Sequence, residues 1–454
     1  MTGTDGGGLD PETAERAGLI GRLARMEPFT LFLAGFILLY GAVSLSLEHV
    51  AGIVGFAKAP YLNAASYLYA LGFVAAGLAL NKVTIRYFLP HPFAILFLLT
   101  GFIAAVTGLL NGNAQQYIVA WSLYIVTAVL VFQFFRNPRV ERDADTVVKL
   151  LYSPPFLAIA LVFAFLSVFN KDNHYQYMLF EVIALYGMLV RPRLFDKAFG
   201  AIIYLLIHLG SNDGFVQVEI NRASILAVGA IGVLYLLSRR HLVVLFFLIF
   251  AALGSIGYAL SLDDETVETL PRNIKEAIML MKGDDVYNHV SSYQRVYEGQ
   301  MVMEDYRDAT DAEWLFGMGL GRTVDMTGAA DKTPGQHALL GATEVHNIHF
   351  LHFAIFHKFG FAGLALVGGL IVTIFGMFFA DLSRGRLDDI ALFFYFYLIY
   401  TIVFAFPASN FLIANPLWPA FFGLLMLMRR RNRKITDTFD SDDPVWQEKQ
   451  PEPT

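Results

Sequence analysis

Long apolar stretches alternate with short polar connections along almost the whole chain. Stretches of roughly 18 to 22 apolar residues match the thickness of the hydrocarbon core of a bilayer. The pattern predicts twelve membrane-spanning helices, at 29–47, 61–81, 88–110, 115–135, 152–170, 174–190, 198–211, 220–237, 241–262, 360–380, 388–406 and 410–428. We therefore expect an all-α, polytopic helical bundle.

One large polar segment interrupts this pattern between the ninth and tenth predicted spans. The chain divides into an N-terminal segment (1–28), nine spans (29–262), a large loop (263–359), three further spans (360–428) and a polar tail (429–454). The acidic part of the tail, after Ile435, has the composition of a disordered segment. The first span has no small-residue cleavage site behind it and is expected to be an uncleaved anchor.

Basic residues give the orientation of the predicted spans. Lysine and arginine concentrate in every second connection and in the tail, for example at Arg136, Arg239 and Arg429. Cytoplasmic connections carry this excess of positive charge. We expect both termini in the cytoplasm and the large loop on the external side.

Composition excludes several classes of protein. With 56% hydrophobic and 16% charged residues, the chain is too apolar for a soluble protein of its length. It has no cysteine, which excludes disulfides, thiolate metal sites and cysteine nucleophiles. We see no internal repeat of the kind found in many secondary transporters, and nothing that predicts nucleic-acid binding.

Three arginines near the large loop are candidates for binding an anion. Arg222 opens the eighth span, Arg295 lies in a predicted surface helix at 292–308, and Arg322 ends a glycine-rich run. A guanidinium keeps its charge and can hold phosphate through two hydrogen bonds. The alternative is structural, because arginines also extend to lipid headgroups at helix ends or pair with neighbouring carboxylates.

The loop contains three closely spaced glycines, at positions 317, 319 and 321. They do not lie between a strand and a helix, so they are not expected to bind a dinucleotide. Glycine tolerates backbone conformations that other residues avoid. We expect a tight turn that brings the loop backbone close to the bundle or to a ligand.

The densest histidine cluster follows the loop. On a helix, His346 and His349 would share one face, and we prefer His346, beside Glu344 and Asn347, as a catalytic base because imidazole exchanges protons near neutral pH. A metal site is possible, but the spacing alone does not establish one. The two later histidines are expected to be structural, at the membrane interface: His352 and His357.

The order of these features resembles the O-antigen ligase and polymerase family of bacterial envelope glycosyltransferases. Arg222, Arg295, the run Phe-Gly-Met-Gly-Leu-Gly, His346-Asn347 and Gly360-Phe361-Ala362-Gly363 follow one another as in that family, over residues 220–380. The resemblance implies transfer of a glycan from an undecaprenyl diphosphate carrier to an acceptor hydroxyl at the periplasmic face of the inner membrane, with no metal or other cofactor. The acceptor would be lipid A core or carrier-linked glycan.

The same resemblance implies roles for individual residues. Arg222 and Arg295 would hold the diphosphate, and His346 would act on the acceptor hydroxyl. Beside these, we expect His349 and Arg322 to contribute to substrate binding. One departure bears on the histidine, because members of the family have about ten residues between it and the following glycine. Here thirteen residues separate His346 from Gly360, whereas ten separate His349 from it.

Other functions stay open at this point. A metal-dependent lipid-linked glycosyltransferase would need carboxylates near the first external loop, where Glu48 and His49 lie, or at the start of the large loop, at Asp263-Asp264. Transfer to protein is a further option. A transporter or flippase would bury charges within the membrane, where few are found besides Glu181.

Overall fold

The computed structural model describes residues 27–53, 58–80, 91–140, 143–169, 174–212, 215–218, 222–270, 272–285, 290–327, 344–409, 412 and 414–441. These residues form α-helices almost throughout. In chain order the helices are α1 Pro28–His49, α2 Ala59–Ala79, α3 Pro92–Leu110, α4 Gln115–Phe135, α5 Asp143–Leu151, α6 Pro154–Phe169, α7 His174–Leu189, α8 Leu194–Ile207, α9 Arg222–Ser238, α10 Leu242–Ser261, α11 Asp264–Glu268, α12 Arg272–Met281, α13 Val290–Asp305, α14 Asp311–Phe316, α15 Leu351–Ser383, α16 Asp389–Ala405 and α17 Leu417–Ser441.

The fold class is confirmed as an all-α membrane protein. Among the described residues, six helices are long and apolar enough to cross a membrane: α1, α2, α3, α4, α10 and α15. Four shorter apolar helices accompany them, within α6, α7, α9 and α16. The total of twelve spans and their orientation stay predictions.

The bundle is built around one deeply buried helix. Almost every residue of α16 is buried, and it packs against α7, α9 and α17. Aromatic rings fill the space between the helices; Phe29 at the start of α1, for example, meets Phe135 edge-on at 5.2 Å and Phe421 at 5.1 Å between ring centroids. Edge-to-face pairs of this kind add to the apolar burial that holds the helices together. By contrast, no residue of α10 is buried.

The seventh predicted span differs from the structure. Helix α8 ends at Ile207, and the chain continues into strand β1 (Leu209–Asn212), which pairs antiparallel with β2 (Phe215–Val218). The sequence carries Asp213-Gly214 between the two strands, and Asp-Gly is a strong signal for a hairpin turn. The apolar run up to Leu209 concealed this signal.

The ends of other elements also differ from the prediction. Helix α15 begins at Leu351 and is kinked at Gly360, where φ is 61° and ψ is −155°. Helix α17 continues to Ser441, so the tail is helical beyond Ile435. The predicted N-terminal segment up to residue 26 and the tail from residue 442 lie outside the described residues.

The predicted large loop contains regular structure of its own. Helices α11 to α14 lie within it, and two short strands, β3 (Val324–Asp325) and β4 (Glu344–Val345), pair antiparallel. Helix α13 confirms the helix expected at 292–308. Its tyrosines at 293 and 297, together with Tyr306 just after its end, belong to a small apolar core that also includes Phe356 of α15. The loop is therefore anchored to the bundle by packing.

Candidate functional site

The glycine run fixes the loop against the bundle, as its sequence predicted. Gly317, Gly319 and Gly321 all have positive φ, between 82° and 87°. A Cβ atom on Gly317 would lie 2.4 Å from the carbonyl carbon of Lys358, and one on Gly319 would lie 2.3 Å from the backbone nitrogen of Gly108. Both contacts are closer than a side chain allows, so only glycine lets the loop pass between α3 and α15.

Further hydrogen bonds join the segment before α15 to the end of α16. The backbone N–H of Leu351 donates to the carbonyl of Phe406 at 3.0 Å, and the N–H of Ser409 donates to the carbonyl of His349 at 2.7 Å. The loop, the α3–α4 turn and the α16 end therefore meet at one end of the bundle. The candidate residues gather at this end.

The structure brings two of the predicted arginines together, although 222 and 295 are far apart in sequence. Arg222 opens α9 and pairs with the carboxylate of Glu276 on α12; it also donates to Ser292 Oγ at 3.4 Å. Arg295 is half-buried on α13, and its Nε has no hydrogen-bond partner among the described residues. Burial, and then the positive charge of Arg222, lower the pKa of Arg295.

A histidine–carboxylate pair lies one helical turn along α13 from Arg295. Glu298 is completely buried, and its carboxylate accepts hydrogen bonds from both the backbone N–H and Nδ1 of His349, each at 2.8 Å. Gln294 donates a third bond, at 3.1 Å. Because an ionised carboxylate only accepts, Nδ1 carries the proton and Nε2 keeps a free lone pair. About a third of the His349 side chain is exposed, at 37%.

His346 lies in a different environment. Its ring stacks on Tyr117 at the start of α4, with centroids 3.7 Å apart and planes 8° from parallel. Burial, and then the nearby ammonium of Lys358, lower the pKa of His346 to about 4. The buried Lys358 donates to the backbone carbonyl of His346 at 2.7 Å and lies 4.9 Å from the Trp121 ring centroid. These contacts hold the segment that carries both histidines.

One expectation about the two histidines is wrong. His346 and His349 do not share a helix face, since α15 begins at Leu351 and residues 346–350 form bends after β4. The two histidines have different partners, Tyr117 for His346 and Glu298 for His349.

Arg322 forms part of a second cluster farther along α13. It binds Asp305 through two hydrogen bonds of 3.0 Å each, and His357 Nε2 donates to the same carboxylate at 2.9 Å. Burial opposes ionisation here, but the hydrogen bonds from His357 and Arg322 outweigh it and lower the pKa of Asp305 to about 2. The guanidinium of Arg322 is thus paired with Asp305. His357 is buried where the loop packs on the bundle, not at the membrane interface as expected.

Glu181 connects the helices near Arg222 through hydrogen bonds. Its carboxylate accepts hydrogen bonds from His208 at 3.0 Å, from Ser224 at 3.4 Å and from Tyr400. His208 follows α8 and Ser224 belongs to the first turn of α9, so one carboxylate joins the two residues that flank the β1–β2 hairpin. This fixes the start of the helix that Arg222 opens.

The carboxylates that a metal-dependent enzyme would use have other partners. Glu48 pairs with Lys58 at 2.9 Å. Asp263 accepts the backbone N–H of Thr266 at the start of α11, and Asp264 pairs with Lys282 at 2.8 Å. Within the described ranges, no three histidine, aspartate or glutamate side chains converge to hold a metal ion.

Sequence reasoning missed Glu276 and did not single out Glu298. Glu298 follows Arg295 by three residues and Gln294 by four, a helical spacing that places it on their face of α13. That face could have been identified from the sequence. Glu276 gave no comparable signal, because its partner Arg222 lies on another helix.

We compared the chain with family models, curated proteins and solved structures, and none of them matches it.

Proposed function

We propose that this protein is a glycosyltransferase of the bacterial inner membrane. It moves a glycan from an undecaprenyl diphosphate carrier to an acceptor hydroxyl at the periplasmic face. The observation that carries the proposal is the meeting of Arg222 and Arg295 beside the Glu298–His349 pair at one end of the bundle. Departure of the diphosphate requires positive charge to stabilise it, and attack by the hydroxyl requires a base to take its proton.

The arginines bind and stabilise the diphosphate. A diphosphate needs mainly positive charge to leave, and a half-buried guanidinium supplies it in a setting where water screens less. The unpartnered Nε of Arg295 has unused hydrogen-bonding capacity. Repulsion between Arg295 and Arg222 favours an anion that bridges them.

His349 acts as the base. Its Nε2 lone pair takes the proton of the acceptor hydroxyl as the hydroxyl oxygen attacks the anomeric carbon. The bond from that carbon to the diphosphate oxygen breaks, and undecaprenyl diphosphate leaves with the bonding electrons. Direct displacement inverts the anomeric centre. Glu298 holds the imidazole in the required tautomer and stabilises its charged form, as the carboxylate does in hydrolase triads.

The contacts of His346 support a different role for that residue. Its ring is stacked on Tyr117, and its lowered pKa of about 4 makes it a weak base at neutral pH. In the sequence, the neighbouring Glu344 and Asn347 favour His346 as the base, while the spacing to Gly360 favours His349. We now assign the proton transfer to His349 and give His346 a structural role beside it.

An apolar cavity beneath the site suits the carrier lipid. It measures about 130 Å³ and lies between α3, α4, α15 and α17, with Trp121 and Phe359 among its lining residues. Trp121 also contacts the ammonium of Lys358. A chain of isoprene units would bury apolar surface there while its diphosphate lay near the arginines.

Glycan analysis of a deletion strain tests this function. Loss of the glycan from lipid A core indicates a ligase, and attachment of single repeats alone indicates a polymerase. Loss of glycan from a protein would identify a protein as the acceptor. A strain whose envelope glycans are all unchanged would contradict the proposal.

A further inference from the structure

The anion site is already occupied by a carboxylate of the protein. Glu276 on α12 is buried, with 7% of its side chain exposed, and it pairs with Arg222. Together with Arg295 and Glu298 it forms a group of two positive and two negative side chains that interact through space. The two carboxylates already offset the charges of the two arginines before any ligand arrives, and Lys358 adds one further positive charge that interacts with Glu298.

A diphosphate entering this group brings excess negative charge. One of the two carboxylates has to move away for both arginines to reach the ligand. Glu298 is held by three hydrogen bonds from His349 and Gln294. Glu276 lies on a ten-residue helix that packs against α11 and against α10, which has no buried residues. Glu276 pairs with Arg222 itself, so it is the carboxylate that a diphosphate on Arg222 displaces.

In the proposed function the site faces the membrane surface, where ordinary phospholipids are abundant. Two unshielded arginines near lipid headgroups would attract anionic phospholipids. A phospholipid headgroup such as phosphatidylglycerol has one charged phosphate, whereas the carrier's diphosphate has two in a row. A ligand that replaces Glu276 on Arg222 has to compete with a carboxylate. A diphosphate, with its second charged phosphate, competes better than a single phosphodiester does.

We propose that Glu276 is a specificity-determining residue, which excludes phospholipid headgroups from the arginine pair and yields only to a diphosphate. This inference rests on the proposed function and adds a means of selecting the donor. Glu276 acts as a competing anion attached to the protein.

Binding of undecaprenyl diphosphate to the full-length protein tests the inference. The dissociation constant is measured in nanodiscs of phosphatidylcholine and in nanodiscs with an equal amount of phosphatidylglycerol. Wild type should bind nearly equally in both. Glu276→Gln should bind about tenfold more tightly in phosphatidylcholine and lose at least about that factor when phosphatidylglycerol is present.

A matched control removes a carboxylate nearby. Glu268→Gln makes the same change of charge on α11, where Glu268 is exposed and pairs with Lys275; this variant should behave as wild type. If Glu276→Gln does not fold, Glu276→Asp tests the same point, since a shorter carboxylate should also let phosphatidylglycerol compete.

The outcomes separate the two proposals. Equal binding by wild type and the Glu276 variants in both lipids would overturn the specificity role of Glu276 and leave the proposed function standing. Absence of any binding of undecaprenyl diphosphate to wild type would overturn the proposed function itself.

Discussion

Glu298 and His349 form a carboxylate–imidazole pair in which the carboxylate is buried and both of its oxygens accept hydrogen bonds from the same histidine residue. One bond comes from the backbone N–H and the other from the ring, so the position and the tautomer of the imidazole are fixed together. A base that is oriented in this way loses little entropy when the acceptor arrives. The pair is the centre of our account of transfer.

Removing the imidazole of His349 should abolish most transfer. We expect His349→Ala to lower the rate by a factor of about 10² to 10⁴ with little change in donor binding. His346→Ala should cost less, because that ring packs on Tyr117. Transfer of labelled glycan and binding of donor are measured for both variants at matched abundance. The reverse ranking would return the base to His346, the residue that its neighbours Glu344 and Asn347 favoured.

Glu298→Gln should reduce the rate of transfer while the donor still binds. The amide can still accept from the backbone of His349, but it no longer stabilises a charged imidazole. We expect a loss of about 10² to 10⁴ in the rate. Glu304→Gln, an exposed change on the same helix beside Arg307, is the control. A Glu298→Gln variant as active as this control would remove the pair from the mechanism.

The two arginines should not tolerate lysine. Arg222→Lys and Arg295→Lys keep a positive charge but cannot offer a planar fork to a diphosphate. Loss of a hydrogen bond to a charged group should weaken donor binding by about tenfold to a hundredfold for each variant. Arg307→Lys, on an exposed pair with Glu304, should bind as wild type does. Normal donor binding by both variants would contradict the diphosphate assignment.

Much of the scaffold could be predicted because local sequence determines it. Apolar length alone located α1, α3, α4 and α10, and the backbone freedom of glycine explained the turn at Gly317. The β1–β2 hairpin was missed since an apolar run continued to Leu209 and looked like the end of a span. Hydropathy does not show where such a run leaves the helix.

The site could be predicted only in part. Charge and position identified Arg222 and Arg295 as candidates, but their proximity depends on how α13 packs against the bundle. The same packing decides that Glu298 faces His349 and that Asp305 occupies Arg322. Glu276 could not be identified from the sequence, because nothing distinguishes it from the other carboxylates of the polar loop until its contact with Arg222 is known.

The glycine turn should be sensitive to a single methyl group. Gly317→Ala would place its Cβ against the backbone of Lys358, in addition to the cost of a positive φ. We expect a loss of stability of about 2 to 5 kcal/mol, as for severe overpacking with backbone strain. Gly283→Ala also has a positive φ but meets nothing within 4 Å, and should cost only about 1 kcal/mol. Thermal unfolding in detergent compares them, and equal losses would refute the close approach.

Stability should depend on pH through His346. Its folded-state pKa of about 4 lies below the ordinary value of 6.5, so the unfolded chain takes up the proton first as the pH falls. The stabilisation is therefore complete above pH 6.5 and is lost as the pH falls towards 4, by at most about 1.4 kcal/mol per unit. His346→Phe keeps a ring for Tyr117 and should flatten this part of the profile. Identical slopes for both proteins would contradict the burial of His346.

Reconstituted transfer tests the central claim most directly. Purified protein in proteoliposomes is given a lipid-linked glycan and an acceptor in the presence of a chelator, and the new glycosidic bond and released undecaprenyl diphosphate are measured together. We predict that wild type forms both products in equal amounts, with inversion at the anomeric carbon, and that His349→Ala forms almost none. Absence of transfer by wild type, or equal transfer by His349→Ala, would contradict the account.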